Sequence, residues 1–328
     1  MDTKLLEDSY GFRIKNIQNI RNISRIETDC GVKCFKKAHM SPSFFLFMYS
    51  AVNHLKRNGY EGVIPYTETL DGSICIPEDK YVYYVVDWVD SRECRFRKED
   101  ELKMAIGAAA ELHKASTGYT PPKGAKPRIY YNKWIDKFER KCIELLEFSK
   151  AIEDKEYIDD FDEIYSKYLS YYWHQGKESI QMLKESPYSE ISQCSEEKGE
   201  FCHHDMANHN FLISDDNMVY LIDFDYCIMD TRLHDISSLV IRNMRYGIWD
   251  IGKAYFILNE YDKLYPISKK ELQVMKAFMT FPQDFWQVGL QYYVEKQPWN
   301  MEYFLMRLNR IVDDTEIRGK FLQDFLKL

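Results

Sequence analysis

Apolar and polar positions alternate in short runs over roughly the first ninety residues, then settle into helical spacing. In "SRIETDCGVKCFKKA" two alternating runs flank Asp29-Cys30-Gly31, which predicts a β-hairpin. "SFFLFMYSAVNHLKRNGY" has helical length and ends on Gly59, a C-terminal cap. "YTETLDGSICI" predicts a second hairpin turning at Asp71-Gly72, and "KYVYYVVDWV" is a β-rich run. Together these make a small antiparallel sheet with one helix.

After "DSREC" the texture changes. "EDELKMAIGAAAELHKAS" carries apolar residues at the 3.6 period, with Asp100 as the expected N-cap. "PPKGAKPR" is a loop, and "NKWIDKFERKCIELLEFSKAI" and "DFDEIYSKYLSYYWHQGKESIQMLKES" predict two amphipathic helices. From about Lys253 the chain is helical again, with breaks at Pro266, Pro282 and Pro298. The expected fold class is α+β: a β-sheet N-lobe over residues 1–88 and a larger, mainly helical C-lobe over 89–328. The boundary falls within Val86–Arg92.

One stretch stands apart from this pattern. "EFCHHDMANHNFLISDDNMVYLIDFDYC" places hard polar groups around two short apolar strands, Phe211–Ile213 and Val219–Ile222. The intervening "SDDNM" suits a hairpin turn, because Asp and Asn side chains tolerate turn geometry and bond nearby backbone. With the turn at Asp216, Phe211 lies roughly opposite Ile222. Asn210 and Asp223 then share the open end, and Asp205 is on a loop short enough to fold back there. Two carboxylates and an amide oxygen on one point suit Mg²⁺ with room left for phosphate oxygens. A carboxylate remains to accept a proton, so the set contains the parts of a phosphoryl-transfer site. Zinc held by His203, His204 and His209 is the weaker alternative, since adjacent strand histidines point to opposite faces. A plain solvated loop and hairpin is the other.

Charge and composition narrow the options. A net charge of −8 argues against a nucleic-acid partner. No apolar run approaches the roughly 20 residues that span a bilayer, so no membrane partner is expected. "MDTKLLEDSYGF" lacks the basic and apolar regions of a signal peptide, and the eight cysteines are scattered without a C-x-x-C pair. Cytoplasmic synthesis with reduced, partly buried thiols is the expectation. The 25 tyrosines are expected mainly in core and groove packing, and His113 as a packed helix residue.

"HHDMANHN" followed by "LIDFD" resembles the catalytic loop and metal-binding segment of the aminoglycoside phosphotransferase and choline kinase group, which has the bilobal protein-kinase-like fold. The resemblance implies Asp205 as catalytic base, Asn210 and Asp223 as metal ligands, His203 as a loop buttress and Asp225 as a supporting acid. His204 departs from the group's usual glycine. "TDCGVKCFK" resembles the strand pair whose lysine meets the ATP α/β-phosphates. That lysine would be Lys36, which alternation sets on the opposite face from Phe35 and Lys37. "VVDWVDSRE" resembles the hinge, with backbone groups of Asp87, Trp88 and Val89 meeting adenine. "HDISSLV" implies Asp235 as an anchor of the catalytic loop. The runs Gly59–Gly72, "LHKASTGY" and the hinge tryptophan are most similar to CotS-type spore-coat proteins.

The resemblance implies an ATP- and Mg²⁺-dependent phosphotransferase acting on a small hydroxylated molecule or a coat-protein acceptor, assembled into the spore coat beside other coat proteins. The aromatic and acidic insertion and C-terminal helices would suit a cationic or polyhydroxylated acceptor. Two departures favour the alternative of a kinase-shaped structural or binding protein with little turnover. "NIQNIRNISRIE" has no glycine-rich loop, and "SPSFFLFMYSAVNHLKRN" has no glutamate to pair with Lys36, Glu61 lying past its end.

Overall fold

The computed structural model describes residues 3–327. The chain divides into two compact units, the first made of residues up to Ile129 with Lys198–Met229, the second of Tyr130–Glu197 with Asp230 onward. The fold class is α+β, as expected, with the antiparallel sheet in the N-terminal part and a mostly helical remainder.

In the first unit, strands β1 (Ile14–Ile20), β2 (Ile23–Thr28), β3 (Gly31–Ala38) and β6 (Tyr81–Asp87) form a ladder in that order. The Asp29-Cys30 turn joins β2 to β3 as the pattern predicts, with Thr28 opposite Gly31. The second hairpin is not where it was expected. Strands β4 (Tyr66–Thr67) and β5 (Ile76–Glu78) both pair with β6, end to end on one edge, so Asp71-Gly72 turns between them without pairing them. The hairpin proper closes at Asp79-Lys80, where Asp79 takes φ +51°.

Alternation along β3 and β6 decides what each face of the sheet does. Phe35 and Val85 join Ile26 against Leu6 and Tyr10 of a helix the pattern did not predict, α1 (Thr3–Tyr10). On the opposite face Ala38, Val82 and Tyr84 pack under Phe45 of helix α2 (Pro42–Arg57). The sheet is therefore buried on both sides. Helix α2 starts at Pro42 with Ser41 as its cap and ends in a Schellman turn: Tyr60 N–H donates to Leu55 C=O and Gly59 N–H to Lys56 C=O. Gly59, at φ +81°, supplies the left-handed residue that this turn needs. Three residues on, Gly62 lies against β9 (Val219–Leu221), its carbonyl accepting from Leu221 N–H at 2.8 Å. A Cβ there would lie 2.7 Å from Val219 O, so the approach excludes any side chain.

A second sheet consists of β7 (Ser91–Glu93), β8 (Phe211–Ser214) and β9. β7 pairs with β8, and helix α3 (Glu99–Ser116) packs on α2 and β9, so the chain beyond the hinge stays with the first unit. Lys98, not Asp100, is the N-cap of α3; Asp100 sits inside the first turn with Glu99 and Glu101, where carboxylates complement the helix dipole. The β8–β9 register puts Phe211 opposite Leu221, one residue from the expected Ile222, because Ser214 N–H donates to Met218 C=O and Asn217 closes the turn at φ +62°.

The second unit is helical: α4 (Trp134–Glu153), α5 (Asp160–Glu185), α6 (Tyr188–Glu197), then α7 (Leu233–Met244) through α12 (Thr315–Asp324), with breaks at the three prolines. Tyrosine is core material here. Tyr165 and Tyr172 both stack on Phe285 at 4.2 Å. His113 is buried, and the eight cysteines are free thiols, five of them buried. Among the described residues no helix is long and apolar enough to cross a membrane.

Glu101 ties the hinge exit to α3. Its buried carboxylate accepts from Arg92, from Arg95 N–H and from the Arg95 guanidinium. The Arg95 contact above all lowers its pKa to about 2, against a burial cost acting the other way. A lowered carboxylate pKa contributes stability that is complete above about pH 4.5 and is lost as pH falls towards 2. Glu101→Gln should therefore cost about 2 kcal/mol at pH 7. Denaturant melts should show that difference shrinking by pH 3.

Candidate active site

Lys36 stands on β3 directly across the ladder from Tyr84. It is buried, and its Nζ lies 2.8 Å from Asp223 Oδ1 and 2.8 Å from Asp225 Oδ2. The Tyr84 hydroxyl donates to the other oxygen of Asp225 at 3.3 Å. Burial is the largest single effect on Lys36 and opposes its charge, but Asp225 and Asp223 outweigh it and raise its pKa. Burial raises the Asp225 pKa, and Asp223 adds to this, since two carboxylates share one ammonium.

Local chain chemistry sets these positions. Asp223 takes φ +67°, left-handed, and opens the short 3₁₀ turn Phe224–Tyr226 that carries Asp225. Asp tolerates that conformation better than most residues. Ile222 N–H donates to Asn210 C=O at 3.0 Å, which fastens the start of the turn to the foot of β8.

Asp205 and Asn210 form a second cluster. The Asn210 amide donates to the Asp205 carboxylate at 2.9 Å and to its backbone carbonyl at 3.0 Å. Both donated bonds come from Nδ2, so Oδ1 is the Asn210 atom that can meet a cation. His203 buttresses the loop: Asp205 N–H donates to its Nδ1, its Nε2 meets Ile222 C=O at 2.8 Å, and its ring packs edge-on against Phe224. These two contacts assign the proton to Nε2. His204 is left-handed at φ +72°, a conformation that glycine adopts with less strain.

A cavity of about 400 Å³ within the first unit is lined by Lys36, Asn210 and Asp223 at one end and by Asp87, Trp88 and Val89 at the other. At the hinge, Trp88 N–H is already committed to Val32 C=O at 3.0 Å. Alternation then turns the peptide groups of Asp87 to the opposite edge of β6. The β4 register, continued by one residue, sets Pro65 there, which has no N–H to fill the Asp87 carbonyl.

The family model described as "Spore coat putative kinase YutH" matches residues 3–325. The chain belongs to that spore-coat family. It is 27% identical over 317 residues to the "Spore coat protein S" of Bacillus subtilis, a match covering 96% of this chain and 90% of that one. Among solved structures it is similar to an aminoglycoside phosphotransferase from Alicyclobacillus acidocaldarius, with a TM-score of 0.82 at 20% identity over 97% of this chain and 93% of that one. An amicoumacin kinase in complex with AMP-PNP, Ca²⁺ and Ami gives a TM-score of 0.64 at 15% identity, covering 99% and 92% of the two chains. These likenesses show that the spore-coat family member has the fold of phosphotransferases.

The structure brings Lys36, Asp223 and Asp225 into one cluster, and Asp205, Asn210 and His203 into another at the foot of the same hairpin. Asp235 is buried in α7 of the second unit. His209 is exposed and lines the cavity, while His203 packs inward, so the three histidines do not present a shared face. Sequence reasoning missed Tyr84, although counting back from the hinge along the alternating "YVYYVVD" would have set it on the Lys36 face. Arg21 and Glu93 were missed as well, and both line the cavity.

Lys36→Met should cost about 3 kcal/mol, because it leaves Asp223 and Asp225 facing each other with no cation between them. Denaturant melts should recover part of that loss as the pH is lowered from 8, since a raised Asp225 pKa means that its protonation, which ends the repulsion, comes above the usual carboxylate range. The double variant Lys36→Met/Asp225→Asn should recover it at pH 8.

Proposed function

We propose that this spore-coat protein is an ATP- and divalent-metal-dependent phosphotransferase that moves the γ-phosphoryl group to a hydroxyl of a small molecule or a coat component. The observation that carries this reading is the Asn210 amide. By clamping Asp205 with its nitrogen it orients a carboxylate as base and turns its own oxygen to the metal side. The donors on the cavity wall suit a hard cation, since Asp223 and Asn210 both offer oxygen. The amicoumacin kinase, whose structure holds AMP-PNP and Ca²⁺, supports the use of nucleotide and cation.

In the proposed reaction Asp205 accepts the acceptor's hydroxyl proton while that oxygen bonds to the γ-phosphorus. The bond from γ-phosphorus to the bridging oxygen breaks, and ADP leaves with the electron pair. Asp223 and Asn210 would hold Mg²⁺, which neutralises phosphate charge. Lys36 steadies the α/β-phosphates, while Asp225 and Tyr84 hold the lysine. The Asp87 carbonyl and Val89 N–H are the hinge groups suited to adenine.

A second reading, a kinase-shaped coat protein without turnover, draws on the two-residue turn between β1 and β2 where a glycine-rich loop would stand. Calorimetry separates the two. Wild type should bind ATP more tightly with Mg²⁺ than without, and Asp223→Ala should abolish that difference. Absence of binding at millimolar ATP would favour the structural reading. Asp205→Asn should keep Mg-ATP affinity within a few-fold while lowering the slow transfer of the γ-phosphoryl group to water or acceptor, read as ADP release, by about 10²-fold or more. Unchanged ADP release would remove Asp205 from the role of base.

A further inference from the structure

β1 and β2 are joined by Arg21 and Asn22 alone, with Ile20 paired directly to Ile23. Arg21 takes φ +53°, a left-handed conformation that glycine or asparagine would adopt with less strain. The backbone requirement therefore does not explain an arginine, which directs attention to its side chain.

Three further observations bear on that side chain. Ile20 to Ile23 all line the cavity, as does Glu93. The Arg21 guanidinium reaches Glu93 Oε1 through one long contact of 3.5 Å, with the two side chains 77% and 48% exposed. Such a monodentate, solvated pair holds weakly and exchanges readily. Finally, Arg21 and Lys36 are the two permanently cationic residues lining the cavity, and Lys36 is shared between Asp223 and Asp225. A nucleoside triphosphate brings a large negative charge, and a two-residue turn has no run of glycine amides to meet it. Register places Glu93 opposite Leu212, two residues along β8 from Asn210, so its partner Arg21 hangs towards the metal-ligand end.

We propose that Arg21 is the phosphate clamp of this site, held by Glu93 until nucleotide enters and then transferring its guanidinium to phosphate oxygens in place of a glycine-rich loop. The inference rests on the nucleotide-binding reading above and adds to it a residue that determines affinity for the polyphosphate. Arginine suits the task because its planar fork can take two phosphate oxygens at once.

Calorimetry on the full chain with adenosine, ADP and ATP, each with Mg²⁺, tests this. Arg21→Gly keeps the turn's backbone conformation and removes only the side chain. It should weaken ATP about 10- to 100-fold, weaken ADP less, and change adenosine less than about twofold. Glu93→Gln, which releases the guanidinium, should tighten ATP a few-fold and leave adenosine unchanged. The clamp is overturned if Arg21→Gly binds ATP as wild type does, or loses adenosine as heavily as ATP, which would mark a purely structural turn. If wild type binds neither ATP nor adenosine at millimolar concentration, the nucleotide-binding reading fails and the clamp fails with it. ATP binding by wild type that Arg21→Gly retains in full defeats the clamp alone.

Discussion

A single ammonium group shared between two carboxylates organises this site. Lys36 comes from a strand of the first sheet, and Asp223 and Asp225 come from the turn after the β8–β9 hairpin. Removing Lys36 leaves two partly buried carboxylates without a counter-charge, and that costs more than an ordinary contact is worth. The absent helix glutamate becomes intelligible in this light. α2 can present Phe45 and Val52 to its surroundings because the lysine is positioned from below, by the turn, and not from the helix. Tyr84 completes the arrangement as a phenol whose burial keeps it protonated and able to donate to Asp225.

Two non-glycine residues in left-handed conformation bracket the β8–β9 hairpin, His204 before it and Asp223 after it. Each costs on the order of 1–3 kcal/mol relative to relaxed backbone. The surrounding bonds hold them there: His203 and Asn210 on one side, Ile222 and the lysine on the other. Rigidity at the chemical groups is thus obtained by over-determining a strained chain, with most of the fold's ordinary helices and strands left unstrained.

Much of this was legible in the sequence. The long amphipathic helices, the β2–β3 hairpin and the β8–β9 hairpin follow from periodicity and turn chemistry, and the Asn210–Asp205 contact lies within the loop that the spacing of one motif marks out. What escaped was long-range. α1 has only eight residues and is stabilised by the sheet face that it covers, so its own sequence signals it weakly. Asp71-Gly72 reads as a hairpin turn locally, but which strands pair is decided by β6, which takes β4 and β5 on one edge. The Tyr84–Asp225 and Arg21–Glu93 contacts join residues far apart in the chain, and no local pattern encodes such pairs. The pairing of β7 is equally long-range, because its partner comes only with β8.

That pairing has a consequence for synthesis. On the ribosome, β7 and α3 emerge well before β8, since residues 130–197 must be made in between. At ~5–20 residues per second, Ser91 waits roughly 10 s for Ser214. During that interval β7 presents an unpaired edge, and the face of α3 that will meet β9 stays uncovered. That edge is covered only when β8 is made, so the partner of β7 and the candidate-site residues of the β8–β9 hairpin emerge together.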